Sequence, residues 1–223
     1  MSLRQMGKKS NHGLNHDEGP NGFAMINEIE VGEAKKIVEM YHRIYPGIRV
    51  WYEDLKRLLR DDRTLTNCFG RTVRFMGEWG DELWKSAYSM IPQSTVVDSL
   101  NTGMVAIYED KEMTSANGWN VDVLAQVHDS VLMQIPIAVL KDRSNFELFI
   151  SKVVDYTSPA ITYNGRSFKI ASDFKFGMNW GEAHSERNPQ GMTDCDTYDQ
   201  FMKCLEDWEQ NESRTDKLAG QLS

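Results

Sequence analysis

Residues 125–137 read AQVHDSVLMQIPI, and this stretch constrains the fold more than any other. Val127, Val131, Leu132, Ile135 and Ile137 have the pattern of a buried strand pair, yet His128 and Asp129 stand in its middle. An ionised carboxylate inside such a layer costs several kcal/mol unless it is paired or bound to a metal. The chain therefore either turns at this point or meets a cation there. The local pattern favours a β-hairpin with VDVLAQV and VLMQIPI as arms and the pair at an exposed tip. Asp and Ser suit tips because their side chains bond nearby backbone groups. On this pattern alone Asp129 is a turn residue.

Composition narrows the setting. A chain of 223 residues can bury a core in one domain or two small ones, and 40% apolar content is ordinary for a soluble protein. No apolar run reaches membrane-spanning length and no signal peptide is visible. Cys68, Cys195 and Cys204 show no metal-ligand spacing and are odd in number, as expected of free thiols in a reducing cytoplasm. The net charge of -8 argues against a generic nucleic-acid binder. It is uneven, however. Residues 1–80 carry 13 Lys/Arg against 11 Asp/Glu, while residues 81–184 and 185–223 are each net -5. A polyanion site belongs in the first third, and the acidic centre suits a divalent cation.

Periodicity predicts the elements. Ser2-Leu3-Arg4-Gln5 has the form of a capping box, so a first helix starts near the beginning of the sequence and ends at Gly19-Pro20. Helices follow over 32–45 and 50–59, separated by Pro46-Gly47, and then a small hairpin around Gly70. Residues 82–90 and 93–108 read as two helices interrupted at Pro92. Asn117-Gly118 turns into the opening hairpin, and residues 145–156 form a helix. Asn164-Gly165 marks a tight turn before a mostly alternating strand over 167–176. After His184 the chain is polar, with one amphipathic helix around Phe201, Met202, Leu205 and Trp208 and a disordered tail over the last dozen residues.

Two further clusters bear on chemistry. Arg4, Lys8, His12 and His16 recur every four residues, which places them on one slowly drifting helix face. Two cations followed by two rings make a ladder for a phosphate and then a base, or else a solvated basic face. Gly13 lies inside this helix at a cost of ~1 kcal/mol against Ala, which often means that something approaches the backbone closely. Lys85, Ser89 and Gln93 repeat the four-residue spacing across Pro92, where an ordinary helix junction would also account for them.

Taken in order, these clusters resemble the C-terminal part of a family A (DNA polymerase I-like) DNA polymerase, in flavour nearest the phage members. "RQMGKKSNHGLNHD" resembles the family's motif B, the fingers helix that binds incoming nucleotide. "EAKKIVEMYHRIYPGI" and "TNCFGRTVRF" resemble the segments after it. "SMIPQSTVVDSL" resembles the palm helix that contacts primer and template, "QVHDSV" motif C, and "FGMNWGEAH" the closing G-x-N-W stretch. The likeness runs unbroken over residues 3–184.

The resemblance implies an α+β fold: part of a palm, with an antiparallel sheet holding the Asp129 hairpin and the 167–176 strand, plus helical fingers elements. Residues 1–62 would be partial fingers, 63–184 the C-terminal part of the palm, and 185–223 an extension. It implies that Asp129 is a ligand of catalytic Mg²⁺ and that His128 helps hold the primer terminus. Arg4 and Lys8 would grip the triphosphate, His12 would lie near the sugar and base, and His16 near the templating base. Lys85, Ser89 and Gln93 would contact the duplex. Implied partners are a DNA primer-template and dNTPs, in the cytoplasm of a cell or of a phage host.

The departures matter. His12 replaces the usual Phe or Tyr, which touches sugar discrimination, and His16 replaces the usual Tyr. Ser130 stands where the family mostly has a Glu, the more dispensable of two neighbouring carboxylates. Motif A, which supplies the other essential Asp and precedes motif B, is not in this sequence; the "DYTS" at 155–158 comes in the wrong order. The leading expectation is a C-terminal fragment of a split polymerase that needs a separate N-terminal chain carrying motif A. The other readings are a non-catalytic nucleotide- or primer-template-binding remnant, and an excised piece of a longer polypeptide.

Overall fold

The computed structural model describes the backbone of residues 3–220 and the side chains of residues 7–210. The expected Ser2 cap lies outside the described residues. The fold is mixed α+β, mostly helical with small antiparallel hairpins. It divides into two compact units, residues 1–98 and 99–223.

In the first unit, α1 (Leu3–Asn15) stops short of Gly19-Pro20, and Pro20 opens α2 (Pro20–Asn27) instead of merely ending its predecessor. Pro46 likewise opens α4 (Pro46–Asp62) directly after α3 (Val31–Ile44). Proline suits the first helical position because the amide hydrogen it lacks would have had no partner there. Leu14, Phe23, Ala24, Ala34 and Val38 bury one cluster beneath α1–α3. The hairpin of β1 (Thr64–Thr66) and β2 (Thr72–Arg74) turns through Gly70 at φ +85°, as the sequence suggested.

The expected break at Pro92 does not occur. One helix, α5 (Asp81–Glu109), runs through it. Leu83, Ala87, Ile91, Thr95 and Asp98 are buried at helical spacing on both sides, and Pro92 itself is exposed. A mid-helix proline costs about 3 kcal/mol. Each fully buried large apolar side chain contributes ~1.5–3 kcal/mol, and the buried stripe keeps phase only if the helix continues. Leu83, Ala87, Tyr88 and Ile91 join Tyr52, Leu55, Leu59, Leu65 and Phe75 in a second core cluster.

In the second unit, Asp110 caps α6 (Lys111–Thr114) by accepting from the Glu112 and Met113 amides. The hairpin of β3 (Asp122–Val127) and β4 (Ser130–Gln134) follows. The predicted second arm reached Ile137, but pairing stops at Gln134 and Ile137 begins α7 (Ile137–Leu140). Pro136 has no amide hydrogen for a ladder and caps α7 instead. β3 is half-buried on one face, with Val123, Ala125 and Val127 inward and Asp122, Leu124 and Gln126 outward, whereas β4 is half-buried at Val131, Leu132 and Met133 in succession. α8 (Arg143–Thr157) is capped by Asp142. Asn164 and Gly165, both at positive φ, join β5 (Ile161–Tyr163) to β6 (Arg166–Phe168).

The expected long strand over 167–176 is a correction. Only β6 and β7 (Lys175–Phe176) are strands, and β7 pairs with β8 (Thr193–Asp194). Between β6 and β7, the Ser172 hydroxyl bonds the hydroxyls of Thr157 (2.9 Å) and Ser158 (3.0 Å) at the end of α8. The expected sheet uniting this region with the Asp129 hairpin is also absent: β3 and β4 pair only with each other among the described residues. The disordered tail is corrected over residues 212–220, where α9 (Tyr198–Gly220) continues as helix, and residues 221–223 lie outside the described residues. Phe201, Leu205 and Trp208 on α9 fill the core of this unit with Phe146, Phe149, Val121 and Cys195. No helix among the described residues is long and apolar enough to cross a membrane.

Candidate functional site

The β3–β4 ladder ends on the pair Val127↔Ser130, so His128 and Asp129 are the two residues of the loop. The Ser130 hydroxyl donates to the Val127 carbonyl at 2.8 Å and closes the tip. His128 has φ +53°, a conformation that histidine tolerates better than most side chains. The ladder slips between Val123 and Ala125, a bulge of the kind that raises local twist. Both tip side chains are exposed, and among the described residues the Asp129 carboxylate has no hydrogen bond or ion pair. The charge is therefore not buried, and its two oxygens are available to a ligand.

No group of three or more His, Cys, Asp or Glu that could hold a metal ion is present among the described residues. A single exposed carboxylate fits one corner of a hard-cation site, not a complete one. Asp155 of the "DYTS" decoy lies exposed near the end of α8.

In the first unit, Lys8 and His12 are exposed on α1 and His16 directly follows the helix, half-buried. The Arg4 side chain lies outside the described residues. The rings of His12 and His16 meet edge to face with centroids 4.7 Å apart. Burial, and then the neighbouring His12, hold the His16 imidazole below its ordinary pKa. The end of this helix is clamped from two sides. The Tyr52 hydroxyl on α4 donates to the Leu14 carbonyl and accepts from the Asp17 amide, both at 3.0 Å. The Tyr41 hydroxyl on α3 donates to Asn15 Oδ1 at 2.6 Å. What approaches the backbone at Gly13 is the chain's own Glu18. Its carboxylate lies where a Gly13 side chain would be, and touches the space beside Gly22.

The unbroken α5 brings Lys85, Ser89 and Gln93 onto one line of one helix, with Lys85 and Gln93 exposed. A cluster that motif reading missed holds this helix to the β1–β2 hairpin. The buried Asp98 carboxylate takes Nε of Arg71 at 2.8 Å and Nδ2 of Asn67 at 2.7 Å. Hydrogen bonding from Arg71 in the first place, then from Asn67, outweighs burial and holds the Asp98 carboxyl below its ordinary pKa. The signal was present: a lone charge in VVDSL on a stripe otherwise buried. In the second unit, burial alone would raise the Asp110 carboxyl. Lys152 Nζ at 2.7 Å and the Tyr156 hydroxyl at 2.9 Å reverse that and pull it down.

The sequence model of DNA polymerase family A matches residues 1–182. DNA polymerase I of Rhizobium leguminosarum is 24% identical over 194 residues, which is 82% of this chain and 18% of that protein. The thermostable DNA polymerase I of Thermus filiformis is 25% identical over 146 residues, 60% of this chain and 16% of that protein. The chain thus spans less than a fifth of these relatives. Among solved structures, the POL domain of Pol1 from M. smegmatis, in complex with DNA primer-template and dNTP, matches 70% of this chain and 27% of its own, with a TM-score of 0.57 at 20% identity. That likeness is one of fold.

Proposed function

The chain belongs to DNA polymerase family A, and from that premise we propose that it is the C-terminal part of a polymerase active site, completed by a separate N-terminal chain. On this reading residues 1–62 are partial fingers, 63–184 the C-terminal part of the palm and 185–223 an extension. The observation that carries it is the Asp129 carboxylate, presented on an exposed hairpin tip without an internal partner. Two carboxylates from separate segments are needed for a two-metal clamp, and this chain offers one. The partner chain would add the second.

Asp129 would hold Mg²⁺, which when bound supplies an activated primer hydroxyl and neutralises charge on the attacking and leaving oxygens. His128, beside it on the tip, would steady the primer terminus. Lys8, with Arg4, would meet the triphosphate of an incoming dNTP, His12 its sugar and base, and His16 the templating base. The clamp of Tyr52 and Tyr41 on the end of α1 gives that face a fixed backbone. Lys85, Ser89 and Gln93 would follow the minor groove of the primer-template, where every correct pair shows an acceptor on each strand.

The lone carboxylate also favours a second reading, a non-catalytic module that binds nucleotide or primer-template. Primer extension separates the two. The isolated, nuclease-free chain should incorporate nothing, and addition of an N-terminal chain carrying motif A should restore templated synthesis. Extension by the chain alone overturns the split-site reading. Binding of primer-template with no synthesis in the assembled complex favours the second.

A further inference from the structure

We propose that Cys195 and Cys204 form a reversible disulfide under oxidising conditions, which fastens α9 to the segment that enters it. The Cys195 thiol donates to the Cys204 sulfur at 3.6 Å, so the two sulfur atoms are already in contact. A disulfide holds them at about 2.05 Å, and the remaining ~1.6 Å is within the sweep of a side-chain rotation. The segment between them is held in place. Gln200 Oε1 accepts from the Asp196 and Thr197 amides at 2.8 and 3.1 Å, and Thr197 Oγ1 accepts from the Gln200 amide at 3.3 Å. This reciprocal cap fixes the first turn of α9. On its other side, the Cys195 amide donates to the Phe174 carbonyl at 3.3 Å.

The two thiols differ in the way such a reaction requires. Cys204 is half-buried and open to a small oxidant, whereas Cys195 is completely buried. Burial first, and then the hydrogen bond to Cys204, push the Cys195 thiol up to about 12, so it stays protonated and does not react first. Hydrogen peroxide oxidises the Cys204 thiol to the sulfenic acid and is itself reduced to water. The Cys195 sulfur then attacks the Cys204 sulfur and the S–O bond breaks. The hydroxide leaves with the Cys195 proton as a second water. Two thiols have then given two electrons and two protons to the peroxide. In a reducing compartment the pair stays a dithiol, and exchange with a small thiol reopens the bridge. Phe201, Leu205 and Trp208 already seat α9 in the core, and the bridge adds a covalent tie between α9 and the end of β8. Both cysteines lie beyond the family-matched residues 1–182, so the tie is independent of the polymerase reading.

The test needs neither DNA nor nucleotide. The full, unsubstituted chain is treated with hydrogen peroxide, alkylated and mapped by mass spectrometry, and a second portion is then reduced with dithiothreitol. The expected result is a peptide pair linked through Cys195 and Cys204 that has lost the mass of two hydrogens. Free thiols fall from three to one, and dithiothreitol restores them. The oxidised chain melts at a higher temperature than the reduced one, and Cys204→Ser abolishes that gap. Oxidation of Cys204 to the sulfinic acid with Cys195 still a free thiol overturns the proposal, as does a bridge made through Cys68. Equal melts of the bridged and reduced chains also overturn it, since such a bridge fastens nothing. The mapping is done on the unsubstituted chain, so its outcome does not depend on any variant folding.

Discussion

The Nε of Arg71 lies 2.9 and 2.8 Å from the two carboxylate oxygens of Asp98, a contact between residues 27 apart in sequence. The Asp98 side chain is 10% exposed and that of Arg71 53%. The pair therefore lies between a surface ion pair and a buried one. Asn67 adds a second donor to Asp98, and its own Oδ1 accepts from the Phe69 and Arg71 amides. This hub fixes the β1–β2 hairpin to the helix that carries Gln93.

Removing the hub should cost stability without touching the reacting groups. Asp98→Ala leaves the Asn67 amide without an acceptor and should destabilise the first unit by about 1–3 kcal/mol, with Arg71→Ala costing less because its side chain is half in water. The folded Asp98 carboxyl has a depressed pKa, so its contribution is complete above the unfolded value of about 3.9 and fades as pH falls through the lower folded value. Denaturant melts of Asp98→Asn against the parent from pH 7 down to pH 3 should show a gap that is widest at neutrality. A gap that widens in acid contradicts the assignment.

Asp129 makes the opposite prediction. The carboxylate is exposed and bonds to nothing among the described residues, so Asp129→Asn should leave the melting temperature within a degree or two, roughly the effect of a neutral surface change. On the split-site proposal, the same substitution in the chain assembled with an N-terminal chain carrying motif A should cut the rate by orders of magnitude with little change in primer-template affinity, because a metal clamp acts mainly in the transition state. Near-normal single-turnover rates would leave Asp129 as a turn residue.

At His128 the backbone, not the ring, sets stability. Its φ of +53° is open to glycine but strained for a β-branched residue. His128→Val should destabilise the hairpin by about 1–3 kcal/mol, while His128→Gly should be close to neutral. Equal melts for the two variants would show that the loop relaxes to another turn.

On the proposal that α1 is the nucleotide face, its residues should separate common from distinguishing features of the substrate. Lys8→Ala should slow turnover and raise the apparent KM for every dNTP alike, since phosphates carry no base identity. His12→Phe should instead shift the preference between deoxy and dideoxy nucleotides more than it shifts turnover. Single-turnover incorporation of each nucleotide by the two-chain complex measures both. Unchanged kinetics in both variants, with the complex assembled, would make the face a solvated surface.

Much of the local structure was legible because helix and strand periods report on near neighbours. The helices α3, α4 and α8 and the turns at Gly70 and Asn164-Gly165 follow from spacing and turn chemistry. The His128-Asp129 tip follows because charged residues between two apolar arms have one inexpensive place to go. Packing decided the rest. Pro92 reads as a break, yet the helix continues because Ala87, Ile91, Thr95 and Asp98 stay buried in phase. Gly13 reads as room for a ligand, yet Glu18 takes the space. The hold of Tyr52 on Leu14 spans 38 residues, and Phe201, Leu205 and Trp208 reach the core from beyond the family-matched segment. A sequence states which side chains prefer to be buried; only the closed tertiary structure determines what each one meets.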